Sequence, residues 1–247
     1  MYKFRQILRV DLMNLFTNPI WVAYAIGFPV LLILILGFLL SGTFGCVVTS
    51  YDYYGVALMI YSAFNVATFS ANSFLEERVK RPNMRIVYSP VRSWYIHFSK
   101  VLATFIFCSV TYGVVVLFLH FALHVQFGGV NSWAMIVFML LLIFLFSALG
   151  VLVCCLLKSE SSANQLVSLL INIFAAFGGL FFPIEGFGKV ISTVSWVSPA
   201  KWILTTCLQV IYDADFSAFL PACGILVFLS AVFVLLSVRI FKGEEYL

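Results

Sequence analysis

Six stretches of this chain are each apolar for about twenty residues, and that spacing removes most folds from consideration. A helix adds about 1.5 Å per residue, so about twenty residues cross a hydrocarbon layer of ~30 Å. The runs are Ile20–Leu40, Tyr54–Phe74, Phe98–Ala122, Ala134–Leu157, Ala163–Phe182 and Ala222–Ile240. Lipid offers no hydrogen bonds, so a run of this length satisfies its own backbone as a helix. Charged residues are 10% of the 247, where soluble domains carry roughly 25%, and no stretch is left over for a separate soluble domain. The chain, 1–247, reads as a single all-α membrane domain of six transmembrane helices.

Lysine and arginine set the direction of those helices. Lys3, Arg5 and Arg9 precede the first run; Arg78, Lys80, Arg81, Arg85, Arg92 and Lys100 lie between the second and third; Lys158, Arg239 and Lys242 fall on the same side. Only Lys189 and Lys201 fall opposite, so twelve of the fourteen cations mark one face as cytoplasmic, with both termini on it. Cations clustered beside spans speak for membrane orientation and against nucleic-acid binding. The six cysteines have no CxxC or metal-ligand spacing, and most sit in apolar runs as small hydrophobes.

Residues 1–18 are expected to form an amphipathic helix in the interface, with Phe4, Ile7, Leu8, Leu12, Leu15 and Phe16 on its apolar side. Asn18-Pro19 is a cap and first-turn pair that starts the first span, which should bend near Pro29. A secretory signal peptide is the rival reading, but the run is too long for its apolar region and no A-x-A site follows. Residues 75–97 form a charged cytoplasmic segment between two spans, broken by Pro82 and Pro90. A short surface helix that meets a soluble partner is one reading of it; a loop that only fixes topology is the other.

The spans carry polar and small residues where helices should meet. Ala63, Ala67 and Ala71 make a small-xxx-small seam in the second, with Asn65 and Asn72 nearby. Asn164, Ser168 and Asn172 form a stripe in the fifth, leading to Ala176 and Gly179. Buried amides in lipid need partners, so the stripe faces either protein or a translocation surface. Beyond it, Gly178, Gly179 and Pro183 interrupt the fifth span. The outer segment 183–221 then mixes Glu185, Lys189, Lys201, Asp213 and Asp215 with Val190, Ile191, Val194, Trp196 and Trp202. Short re-entrant helices fit that mixture better than an exposed loop, because Trp belongs at the interface and Glu185 and Lys189, four apart, can pair. Ser198-Pro199 is placed to begin one of them.

No catalytic constellation is present. GxSxG and HExxH are missing, Glu76 and Glu77 are adjacent and so diverge on a helix, and His120 and His124, one turn apart, lack a third ligand for a metal. Gly188-Lys189 ends like a phosphate loop, but Pro183 stands where its upstream Gly belongs.

Two passages resemble the permease subunits of type-2 ATP-binding-cassette transporters: FLEERVKRPNMRIVYSPVRSWYIHFSK (Phe74–Lys100) and GGLFFPIEGFGKVISTVSWVSPAKW (Gly178–Trp202). The first is similar to the family's acidic-basic cluster, its Ser-Pro-Val and the Lys heading the third span; the second to its small residues, Phe-Pro and final Pro before an aromatic. Arg81-Pro82 departs from a frequent Gly-Thr, and Gly188 from a common second Pro. The resemblance implies that Glu76, Glu77 and Arg78, with Arg81 and Arg85 beside them, belong to a coupling helix docking on a separate cytoplasmic ATP-binding subunit. It implies that residues 1–18 also touch that subunit, and that ATP and Mg belong to the partner, with no cofactor in this chain. Two permeases, a homodimer or a pair with a homologue, would join two ATPases in a bacterial cell membrane. Asn65, Asn72, Asn164, Ser168 and Asn172 would line the route between permeases, and Gly178, Gly179, Pro183, Glu185 and Lys189 an outer gate. The function implied is export of a small or amphipathic substrate (drug, peptide, lipid or ion). The alternative is a membrane sensor or scaffold that binds a signalling partner through the same loop.

Overall fold

The computed structural model of the chain describes residues 2–43, 48–75, 93–157, 159–184, 188 and 193–240. These form helices without strands, six of them long and apolar enough to cross a membrane. The N-terminal helix (Tyr2–Phe16) precedes the spans: first Pro19–Leu39, second Ser50–Leu75, third Ser93–Leu123, fourth Ser132–Leu157, fifth Glu160–Gly178 and sixth Phe219–Ile240. A shorter helix, Pro199–Leu208, runs into a wider π-type turn at Gln209–Asp213 between the last two.

The starts obey local chemistry. Asn18 Oδ1 accepts from Ile20 N at 3.1 Å, and Pro19 takes the first helical position, where a missing N–H costs nothing. The helix continues through Pro29, which is buried. Thr49 and Asp52 form a capping box: Asp52 N donates to Thr49 Oγ1 at 3.2 Å, and Thr49 N to Asp52 Oδ2 at 3.0 Å. The fifth span ends at Gly178, four residues short of the expected Phe182, and Gly179 caps it in the left-handed conformation (φ 80°). The third span starts at Ser93, so the last five residues of the expected 75–97 segment belong to its helix. Likewise the sixth begins at Phe219, inside the expected outer segment 183–221.

Among the spans the second is the hub. It packs against the first, third, fourth and fifth and against the helix Pro199–Leu208, and 94% of its apolar window is buried. It is also one of the two least apolar spans, and its central place lets its hydroxyls and amides find partners within the protein. Ala63, Ala67 and Ala71 are all fully buried, with Ala67 under Gly150 of the fourth span. A Cβ on Gly150 would collide with the Ala67 carbonyl, so this approach requires glycine. Ser70 Oγ donates to Ser147 O at 2.8 Å beside it, and Phe64 stacks on Phe146 at 4.3 Å between centroids. Tyr112 Oη donates to Ser62 O at 2.8 Å and ties in the third span. The sixth packs chiefly on the fourth.

At 31 residues the third span is about 46 Å long, well beyond a ~30 Å core. The N-terminal helix lies along it from Trp94 to Phe107, a stretch that also meets the second span through Phe74–His97 and Ser73–Thr104. That helix is therefore packed on protein along one side, with Tyr2, Val10, Met13 and Phe16 left exposed on the other. Its inward face is the expected one of Phe4, Ile7, Leu8, Leu12 and Leu15, with the addition of Asp11, while Phe16 stays 41% exposed.

Candidate functional site

Three polar constellations stand out, one at each end of the bundle and one between. At the end carrying the N-terminal helix, Asp11 and Lys100 make an ion pair with 5% and 1% of their side chains exposed. Ser99 Oγ donates to the second carboxylate oxygen at 2.6 Å. Aromatic contacts flank the pair: Phe4 meets Trp94, Tyr95 and Phe98 within 6.5 Å, and Phe16 meets Phe107 edge-on at 5.0 Å. Helix and third span are thus clamped as one body beside Leu75 and Ser93, where the charged loop departs and returns. The loop's own candidates, Glu76, Glu77, Arg78, Arg81 and Arg85, lie outside the described residues.

Between the ends, the second and fifth spans share the amide stripe. Asn164 Nδ2 donates to Asn72 Oδ1, and Tyr61 Oη donates to Asn172 Oδ1 at 2.9 Å. Asn65 turns back on its own helix, donating to Tyr61 O at 2.9 Å. Ser168 is half-buried between them, whereas Asn172 is exposed. The fifth span presents Ala163, Val167, Ile171 and Ala175 inward. Its other side shows Gln165, Asn172 and Ala176 together with Leu166, Leu169, Ile173 and Phe177.

At the far end the chain turns back. Tyr53 Oη donates to Gly179 O at 2.8 Å and Tyr54 Oη to Phe181 O at 3.0 Å, so the second span grips the chain just past the break. Ser198 Oγ donates to Phe174 O at 2.7 Å and accepts from Ala200 N, capping the next helix at a level one turn inside Gly178. Gly178 is needed there, because a Cβ would collide with Ala200. From that depth the helix Pro199–Leu208 climbs to the loop after the third span, where Asn131 Nδ2 donates to Val210 O at 3.3 Å. Ala200, Ile203, Leu204 and Cys207 are buried. Pro183 follows the break, exposed; Glu185 and Lys189 lie outside the described residues. Asp215 closes the turn by accepting from Ser217 N at 2.9 Å, which holds its carboxyl below the ordinary carboxylate value.

Sequence reasoning missed two acids. Asp11 interrupts an apolar stripe at 4, 7, 8, 12 and 15, and Lys100 stands alone at the head of an apolar run. Charges so placed need each other. Asp52, 5% exposed, accepts through Oδ1 from Gln126 N at 2.7 Å and joins the second span to the loop after the third. The signal was Thr49-x-x-Asp52 immediately before an apolar run. The histidine pair does not keep its helical spacing: the helix ends at Leu123, His124 takes φ 55°, and His120 Nδ1 lies 3.3 Å from Val125 O. Among the described residues no three His, Cys, Asp or Glu side chains converge on a metal position.

Six apolar helices, one of them the polar hub, with a clamped terminal helix and a returning far segment, define a multi-pass membrane protein. Residues 43–239 match the family described as ABC-2 family transporter protein, and the chain belongs to that family. It is the transmembrane component of an ABC transporter, the permease and not the ATPase, and the family works with a partner ATP-binding subunit. Among curated proteins none matches the chain.

Proposed function

We propose that this chain is the permease of an ATP-driven exporter, paired with a second permease and two ATPase subunits, moving a small or amphipathic substrate outward. The observation that carries this reading is the fifth span. It and the second are the two least apolar spans, yet 94% of the second's window is buried within the chain and 28% of the fifth's. Polar side chains facing hydrocarbon are costly, so Gln165 and Asn172 meet a second permease or the substrate route. In this orientation the end with the N-terminal helix is cytoplasmic, and the cell membrane is bacterial. Glu76, Glu77 and Arg78, flanked by Arg81 and Arg85, dock on the ATPase, which binds ATP and Mg. Gly178, Gly179 and Pro183, with Glu185 and Lys189, close the exit.

Cysteines at Ser168 and Asn172, in the complex with its ATPase, test the assignment. Crosslinking between permease copies, or thiol labelling that changes with ATP, is the expected result. Silence at both positions in every nucleotide state overturns it and leaves the stripe as packing within one chain.

A further inference from the structure

A cavity of about 700 Å³ lies between the far halves of the third and fourth spans, floored by Met59 of the second. It belongs to neither the amide stripe nor the returning far segment. Pockets that hold drug-sized or larger ligands span about 300–1,000 Å³. Two features decide what kind of molecule suits this one. Its mouth is formed by Val110, Val114, Leu117 and Ile136, each at least 47% exposed and at span depth, so hydrocarbon and not water stands in front of it. Its polarity is graded along the bundle axis. His120, Gln126 and Ser132 line the far end, while the walls below are aliphatic and Met side chains; Tyr112 turns its hydroxyl away onto Ser62, and Ser109 is the one hydroxyl left at depth.

From this gradient we infer a binding site for an acyl chain of a membrane phospholipid, its headgroup at the His120–Gln126–Ser132 end and its tail between Tyr112, Met135 and Met139. In the proposed orientation that is a lipid of the outer leaflet. The methionines suit such a tail, because their unbranched side chains adapt to a flexible alkyl chain. Gly113 keeps the space open: it lines the cavity, and a Cβ there meets no atom within 4 Å. The site is lateral and separate from the fifth span, so it holds a resident lipid and stands or falls independently of the export route.

Gly113→Trp puts an indole into the cavity from a position with room for it. Gly224→Trp, on an exposed and equally open glycine of the sixth span, is the control. The full chain is reconstituted with phosphatidylcholine carrying a diazirine in its acyl chain, irradiated, and mapped by mass spectrometry. Adducts at Met135 and Met139 are expected in the unaltered chain and in Gly224→Trp, with loss of those adducts in Gly113→Trp. Leu117→Trp at the mouth should reduce them too. Labelling spread evenly over exposed positions such as Leu31 and Leu235, or unchanged adducts in Gly113→Trp, overturns the inference by reducing the cavity to ordinary boundary lipid contact.

Discussion

Removing the Asp11 carboxylate is the sharpest test of how the N-terminal helix is held. In Asp11→Ala the Lys100 ammonium, 1% exposed, loses its counter-charge and Ser99 Oγ loses its acceptor. Breaking one member of a buried pair costs about 3–5 kcal/mol, and a stranded hydroxyl about 1 kcal/mol more. Opposing release are four aromatic contacts, Phe4 with Trp94, Tyr95 and Phe98, and Phe16 with Phe107. At about 0.5–1.5 kcal/mol each they hold the helix by about 2–6 kcal/mol. The two quantities are comparable, so the expected result is partial undocking of the helix while the six-span core stays folded. Arg5 and Arg9 are exposed and give the readout: trypsin should cut there faster in Asp11→Ala, with thermal unfolding of the bundle little changed. The double change Asp11→Leu with Lys100→Met leaves no buried charge, and apolar replacements of buried pairs are neutral or better, so protection should return. Cleavage in Asp11→Ala at the unaltered rate, or a double variant as loose as the single, refutes the reasoning.

Two further outcomes follow from the packing and from the charged loop. Gly150→Val should lower the thermal midpoint of the purified chain, because its side chain drives into the Ala67 carbonyl and overpacking of this kind costs about 1–3 kcal/mol; an unchanged midpoint means the second and fourth spans can part freely. Glu77→Ala with Arg78→Ala should weaken transport-linked ATPase activity of the complex while membrane insertion is unaffected, and a fully active, coupled double variant removes the loop from the docking surface.

Much of this fold was legible because lipid leaves the chain few choices. Span number, the cap at Asn18, the start at Ser198-Pro199 and the alanine seam all rest on local rules that nothing distant overrides. The fifth span was misjudged at its end because Leu180, Phe181 and Phe182 are apolar enough to continue a helix, while Gly179 is held left-handed and the next carbonyls are taken by Tyr53 and Tyr54, 126 and 127 residues away in sequence. Asp11 and Lys100 escaped for a similar reason, since each is one charge among several near the membrane surface until the fold brings them together across 89 positions. The amides at 164 and 172 were recognisable as needing partners, but the pairings Asn164–Asn72 and Asn172–Tyr61 depend on a register between helices that no short stretch encodes.

The second span also has a mechanical meaning. From Ser50 to Leu75 it is one uninterrupted rod of 26 residues, about 39 Å long. Two tyrosine hydroxyls near one tip hold the chain past Gly179, and the other tip meets the third span through Phe74 and His97. A rod of this kind has little slack along its axis, because every residue within it is tied by the helix's own hydrogen bonds. A push at the tip away from those tyrosines would be carried along this rod towards the carbonyls they hold.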